Sequence, residues 1–476
     1  MGTDTISSFD LIIIGSGSGN SLVTPYWDDR RVAIIDAGDF GGTCLNVGCI
    51  PTKMFAYPAS LAAVPAESGR LGVDLELGST DWAGIRDRIF SRIDAISAGG
   101  FRYRDQELEH TTVITEESRF TGTHQLTTAS GRVLESETIV VAAGSRPVRP
   151  DVPGIDLPQV HTSDSIMRLS KLPETLVVLG GGFIAAEFAA IFSGLGSSVV
   201  QVNRSSQLLR THDETISERF TELASRQWRL ETGWTLSRIE EAESGWVAVH
   251  LVGPEGATMV IDAEAVLVAQ GRTPNTDRLD PASAGLDVHG DGRLVVDEYQ
   301  RLLSGGAPVP GLWALGDISS EHQLKHVANH DQRIVSHNLE HPDDLRANTL
   351  GPVPSAVFTR PQIGSAGLTE AQAVAEYGRE RISVKVQEYG DVAYGWAMED
   401  TTGLCKLIAD RQSGQLIGAH LIGHEAPNLI QLLVQAMSFG VDAHTLARGQ
   451  YWIHPALSEV VENALLGLEV PDSGIV

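Results

Sequence analysis

The sequence predicts an α/β chain: two successive strand–loop–helix–strand units, then a separate α+β region. Three observations predict it. A short apolar run, Phe9-Asp10-Leu11-Ile12-Ile13-Ile14, enters Gly15-Ser16-Gly17-Ser18-Gly19-Asn20. The pattern returns at Thr175-Leu176-Val177-Val178-Leu179, followed by Gly180-Gly181-Gly182-Phe183-Ile184-Ala185. From residue 346 onward no glycine loop recurs, and alternating runs at 381–386, 405–408 and 416–421 mix with helical stretches. Short, fully apolar runs read as buried strands of a parallel sheet. A strand, a glycine loop, a helix and a second strand form the dinucleotide-binding βαβ unit.

In the first unit, Gly15 and Gly17 permit a tight turn and let backbone N–H groups approach a pyrophosphate at a helix N-terminus. The second strand, 31–36, ends in Asp36, placed to accept the hydroxyls of an adenosine ribose. Two departures stand out: Asn20 occupies the third glycine position, and Pro25 should end the following helix early. Ile139-Val140-Val141-Ala142-Ala143-Gly144-Ser145-Arg146-Pro147 reads as a strand leaving this unit.

In the second unit, Gly180 and Gly182 repeat the turn and Ala185 takes the third place, where helix and strand pack closely. A helix runs through Glu187, and 198–202 is the next strand. No acid follows it. Instead Asn203-Arg204 and, further on, Arg210 supply two guanidinium groups, which suit the oxygens of a ribose 2′-phosphate. The second nucleotide is therefore expected to be NADPH in preference to NADH. Residues 265–275 close this unit, and Leu312-Trp313-Ala314-Leu315-Gly316-Asp317 suggests a return to the first. The expected division is 1–150, 151–275, a return segment 276–345, and a C-terminal domain 346–476.

A chain of 476 residues is too long for one core, and 42% hydrophobic residues suit a globular protein. A formal charge of −26 argues against nucleic acid or an anionic membrane as partner. No apolar run reaches the length of a membrane span. Residues 1–8 lack a basic stretch followed by an apolar one, so a cytoplasmic location is expected.

Two of the three cysteines stand in Gly41-Gly42-Thr43-Cys44-Leu45-Asn46-Val47-Gly48-Cys49-Ile50-Pro51-Thr52-Lys53. Three cysteines cannot build a secreted disulfide framework, and a close pair beside a nucleotide loop suits dithiol–disulfide cycling. The rival reading, half a zinc site, needs about four ligands, and no metal is expected. Cys405 lies in a strand pattern and reads as a core residue. Residues from Thr52 on look helical, so the pair should lie near a helix N-terminus, which favours a thiolate by about 0.3–1 kcal/mol. His454, followed by Pro455, has Glu459 five positions on, within reach of its second ring nitrogen. On spacing alone, a surface or core role for this histidine stays open, since the chain has fifteen.

Taken together, these segments resemble the pyridine nucleotide–disulfide oxidoreductases. The cysteine motif, both glycine loops, Gly271-Arg272-Thr273-Pro274-Asn275, Ala314-Leu315-Gly316-Asp317, residues 357–364 and His454-Pro455 with Glu459 carry the resemblance in order along nearly the whole chain. It implies two Rossmann-like domains, for FAD and NADPH, and a C-terminal dimerisation domain. It places Ser18, Gly19, Asp36, Thr43, Gly144 and Asp317 at FAD, with Gly271 and Arg272 among the cofactor residues. Lys53 would stand by the flavin with Glu187 as ion-pair partner, although relatives also place this lysine at the position of Thr52. Phe183, beside Ile184, would cover the flavin where many relatives have tyrosine. Arg204 and Arg210 match the arginines of the NADPH branch.

The implied chemistry runs from NADPH through FAD to Cys44–Cys49. Cys49 would face the flavin and Cys44 would attack a substrate disulfide. His454 would protonate the leaving thiolate and Glu459 would orient it. In this family the histidine comes from the partner subunit, which implies a homodimer.

The tail, residues 471–476, carries no further cysteine pair, which disfavours relatives that use one. No arginine clamp for glutathione stands at 20–27. Residues 18–21, 324–330 and 394–400 resemble the branch that reduces mycothiol disulfide, a sugar–inositol substrate with little charge. A dihydrolipoamide dehydrogenase-like enzyme and a flavin-binding redox sensor or electron carrier are the alternatives.

Overall fold

The computed structural model describes residues 6–242, 245–472 and 474. Parts of both stretches read above, residues 1–5 of the N-terminus and 473, 475 and 476 of the tail, lie outside the described residues. The chain divides into two compact units. One comprises residues 1–52, 84–148 and 271–349; the other comprises 53–83, 149–270 and 350–476.

The first unit is built on a six-stranded sheet. Its order is Arg301–Ser304, Ala307–Ala314, Ile139–Val141, Leu11–Ile14, Val32–Ile35, Thr111–Ile114. All neighbours are parallel except the first pair. Ile12, Ile13, Ile34, Ile139 and Val140 are fully buried, as expected where both faces of a parallel sheet are covered. The returning strand, Ala307–Ala314, pairs with Ile139–Val141, with Trp313 opposite Val140. The first glycine loop and the cysteine segment follow the C-terminal ends of the Leu11–Ile14 and Val32–Ile35 strands, where open α/β sheets bind ligands.

The second unit holds a five-stranded parallel sheet in the order Val160–His161, Ala265–Val268, Thr175–Leu179, Ser198–Asn203, Arg229–Thr232. It also holds a five-stranded antiparallel sheet from Ser355–Val357 to Ile382–Glu388, on which the helices Ala426–Phe439 and Ser458–Leu466 pack. Cys405 is fully buried in its Leu404–Asp410 strand, and burial pushes its thiol well up.

Three points add detail to the sequence expectations. The stretch after the first glycine loop is a single 3-10 turn, Gly19–Leu22, followed by another that begins at Pro25. The ring cannot continue a hydrogen-bonded helix but suits its first position. The second is the border near 275. Arg272–Pro274 pairs antiparallel with Ser145–Pro147, so Gly271 and Arg272 belong to the first unit. The third is the continuous 1–150 segment, from which residues 53–83 leave to pack within the second unit.

Candidate active site

The first unit gathers the glycine loop, the cysteine pair and the expected FAD residues. Gly15 has φ +109°, and a Cβ there would lie 2.2 Å from the carbonyl oxygen of Ala142. Only glycine lets the loop turn this close to the neighbouring strand. Asp36 accepts from Ser16 N–H at 2.7 Å, from Ser16 Oγ at 2.5 Å and from Gly38 N–H at 2.9 Å. Ser16 Oγ in turn accepts from Gly41 N–H at 2.8 Å. One serine, missed at the sequence level, thus ties the glycine loop to both the acid and the cysteine segment. Gly17 and Gly42 meet there backbone to backbone.

These groups fit a dinucleotide. The turn excludes side chains at Gly15, and the Asp36 carboxylate stands at the end of the second strand. The helix-terminus contribution is small, because only the 3-10 turn follows. Beyond the Ile139–Val141 strand, which pairs with Leu11–Ile14, Ser145 Oγ donates to Asp317 at 2.6 Å and accepts from Arg272 Nε at 2.8 Å. Gly144, with positive φ, accepts from Asn275 N–H.

Asn20 is explained by a distant arginine. Arg104 Nε donates to its Oδ1 at 2.7 Å, and the other guanidinium nitrogens donate to the carbonyls of Asn20 and Val23. An arginine does reach this segment, and each of its three nitrogens donates to the protein itself.

Thr43 and Cys44 lie in a short helix, Gly42–Asn46, and Cys49 opens the helix Cys49–Ala62. The expectation that both cysteines sit at one helix N-terminus therefore holds for Cys49 alone. Buried Asn46 fixes the segment by donating to the carbonyls of Asp39, Phe40 and Gly42. A side-chain hydrogen bond joins the Cys44 and Cys49 thiols. That bond first, and then burial, pushes the Cys44 thiol well above its ordinary range, while the Lys325 charge pulls the other way. In the dithiol form, then, the helix dipole does not set the ionisation of Cys44. Among the described residues, no group of three or more His, Cys, Asp or Glu is arranged to hold a metal ion.

The second unit holds the remaining expected residues. Lys53 Nζ meets Glu187 at 2.8 and 2.7 Å and lies 4.8 Å from the Phe358 ring centroid. Phe358 N–H donates to the same carboxylate. In the first unit, Thr52 is buried, and its hydroxyl donates to Gly48 O.

Gly180 repeats the device of Gly15, its Cβ direction blocked by the Ala269 carbonyl at 2.2 Å. Gly182 caps the helix Phe183–Leu195, and among the described residues no atom beyond its chain neighbours lies within 4 Å of its Cβ direction. Phe183, 41% exposed, and half-buried Ile184 open that helix. Buried Asn203 donates to the carbonyls of Ser205 and Gln207, shaping the loop that carries exposed Arg204 and Arg210. Arg210 is steadied by Ser205 Oγ at 2.8 Å. His454 Nδ1 lies 2.7 Å from Glu459 Oε1; the imidazole is 71% exposed and the carboxylate 16%. The other oxygen of Glu459 accepts from Ala456 N–H, so the carboxylate that holds the ring is itself fixed.

Comparison with known proteins agrees with this geometry. Residues 9–332 match the family model described as pyridine nucleotide-disulphide oxidoreductase, and residues 353–465 match the dimerisation domain of the same family. The chain is 50% identical over 475 residues to a mycothione reductase of Mycobacterium tuberculosis, covering 97% of this chain and 100% of that one. It is 31% identical over 455 residues to a mercuric reductase of Staphylococcus aureus, covering 92% and 78%. A solved HOCl-induced flavoprotein disulfide reductase from Escherichia coli superposes with a TM-score of 0.82 at 28% identity, covering 96% of this chain and 99% of that one.

Proposed function

The chain belongs to the pyridine nucleotide–disulphide oxidoreductase family, and from that premise we propose that it uses NADPH and FAD to reduce mycothiol disulfide to two thiols. The observation that carries the reading is the hydrogen-bonded Cys44–Cys49 pair on a segment tied through Ser16 to a dinucleotide loop. The substrate is supported by the half-identical mycothione reductase and by the engagement of Arg104, the arginine that reaches this segment, with Asn20 and Val23.

FAD would be held by Gly15, Gly17, Ser18, Gly19, Asp36, Thr43, Gly144 and Asp317. NADPH would be held by Gly180, Gly182, Arg204 and Arg210. The chemistry these groups supply when bound is delivery of one electron pair from NADPH to the Cys44–Cys49 disulfide. The Cys44 thiolate attacks one sulfur of the substrate; that S–S bond breaks as a mixed disulfide forms. The departing thiolate takes its proton from His454, whose ring Glu459 holds. Cys49 then attacks Cys44, the second thiol leaves, and the Cys44–Cys49 disulfide is restored. The balance is NADPH + RSSR + H⁺ → NADP⁺ + 2 RSH.

The protein works as a homodimer through its dimerisation domain, with the acid–base pair facing the partner's dithiol. No helix among the described residues is long and apolar enough to cross a membrane.

The test is NADPH oxidation with a panel of disulfides. Turnover with mycothiol disulfide and little with glutathione disulfide is expected; efficient glutathione turnover would overturn the substrate. Cys44→Ser should abolish disulfide turnover and leave NADPH-to-flavin transfer intact.

A further inference from the structure

The loop that carries Arg204 and Arg210 leaves the strand Ser198–Asn203 and ends at Asp213, the cap of the helix Glu214–Gln227. Arg210 stands on a turn closed by His212 N–H, which donates to Leu209 O at 2.8 Å. Leu209 is buried with φ +53°, a left-handed backbone that costs free energy for any residue but glycine and persists only where its surroundings hold it. Its N–H donates to Gly181 O of the second glycine loop at 2.7 Å, and its carbonyl also accepts from Ser217 Oγ at 2.8 Å. One side of Arg210 is thus tied to the glycine loop. The other side is tied to a different domain. Asp213, three positions on, accepts from Lys406 Nζ at 2.8 Å and from Glu370 N–H at 2.9 Å. His212 Nδ1 lies 3.3 Å from Ser365 Oγ. Ser365, Glu370 and Lys406 all fall within residues 353–465, the stretch matched by the dimerisation domain. Arg219 with Glu388, and Gln227 with the Arg360 carbonyl, hold the body of the helix. The buried Lys406–Asp213 pair is the tie beside the turn.

We infer that Lys406 is a positioning residue for recognition of the nucleotide's 2′-phosphate: by holding Asp213 it fixes the turn from which Arg210 acts. A residue of the dimerisation domain thereby helps to set the preference for NADPH over NADH. Lys406 acts through Arg210, and the inference rests on the reading of Arg210 as a phosphate-binding arginine. A guanidinium gives its full charge-assisted bonds only when its fork meets the phosphate oxygens in one geometry, so a loosened turn weakens the phosphate contact and spares the rest of the nucleotide.

The test is calorimetric binding of 2′,5′-ADP, which carries the ribose phosphate, and of 5′-AMP, which lacks it, to the FAD-loaded protein. Lys406→Met should raise Kd for 2′,5′-ADP about tenfold, the low end for one charged hydrogen bond, and leave Kd for 5′-AMP within about twofold. Added to Arg210→Ala, the same substitution should cost less than about twofold more, because residues that act through one contact are not additive. If Lys406→Met does not stay folded, Asp213→Asn added to it removes the unpaired buried carboxylate, and the double variant should show the same selective loss. An unchanged Kd for 2′,5′-ADP, equal losses for both ligands, or a loss of the same size with and without Arg210 would overturn the inference. If Arg210→Ala alone binds 2′,5′-ADP as wild type does, the reading of Arg210 itself fails, and the inference falls with it.

Discussion

Replacing Lys406 by methionine tests how the second unit is held together. Lys406 lies in the Leu404–Asp410 strand with its side chain 3% exposed. It donates to Asp213 Oδ1 at 2.8 Å and to Thr215 Oγ1 at 3.0 Å, and meets Glu370 Oε2 at 2.6 Å. Asp213, 1% exposed, also accepts from the backbone of Thr215 and Glu370. Methionine keeps the volume and removes the charge, leaving a buried carboxylate without its cation. Breaking such a pair costs about 3–5 kcal/mol. Glu370 adds little, because it is partly exposed and keeps Arg379.

Burial pushes the Asp213 carboxyl up, but the Glu370 backbone bond and the Lys406 ammonium outweigh it, so it sits below the ordinary carboxylate range. A depressed carboxylate stabilises the fold above its unfolded pKa and loses that contribution as pH falls through the folded value. Without Lys406 the value rises, so Asp213 can take a proton in mild acid, and the deficit should shrink as pH falls. Urea unfolding followed by tryptophan fluorescence should show the midpoint lowered by roughly 1–2 M at pH 8, for a slope of about 3 kcal/mol per molar. The gap should narrow at pH 5, and Asp213→Asn added to Lys406→Met should recover part of it at pH 8. An unchanged midpoint at pH 8, or a deficit that widens in acid, would refute the reasoning.

Three further outcomes are expected. His454→Gln should lower steady-state disulfide turnover about 10²- to 10⁴-fold, the usual weight of a general acid, while NADPH-driven reduction of ferricyanide stays within twofold; Glu459→Gln should give a smaller loss, because it frees the ring without removing it. Arg204→Ala and Arg210→Ala should each raise KM for NADPH roughly tenfold to a hundredfold, at about 1.5–3 kcal/mol per charged hydrogen bond, and leave KM for NADH unchanged. Gly182→Ala should fold with normal flavin content but bind NADPH weakly, because the space beside it is free of protein atoms, whereas Gly15→Ala should lose flavin on purification, because its Cβ would meet the Ala142 carbonyl at positive φ.

What could be read from the sequence is what neighbours along the chain decide. The buried runs, both glycine loops and the acid at Asp36 are local patterns, and the hydrogen bond between Ser16 and Asp36 spans only 20 positions. His454 and Glu459 are five apart, so reach alone made their bond plausible. The Lys53–Glu187 pair, 134 positions apart, was legible only through family resemblance. Nothing local announces that Asp213 will meet Lys406, 193 positions away, or Ser18 meet Lys325, 307 away. Asn203 marks the boundary between the two cases. Its place at the end of a strand showed that an acid was missing, but its bonds to Ser205 and Gln207 depend on a loop path that no residue type encodes. The cysteine pair shows why this matters for function. Proximity of two thiols along the chain makes a disulfide possible, yet it also lets one thiol hold the other's proton, which opposes the attack the pair must make.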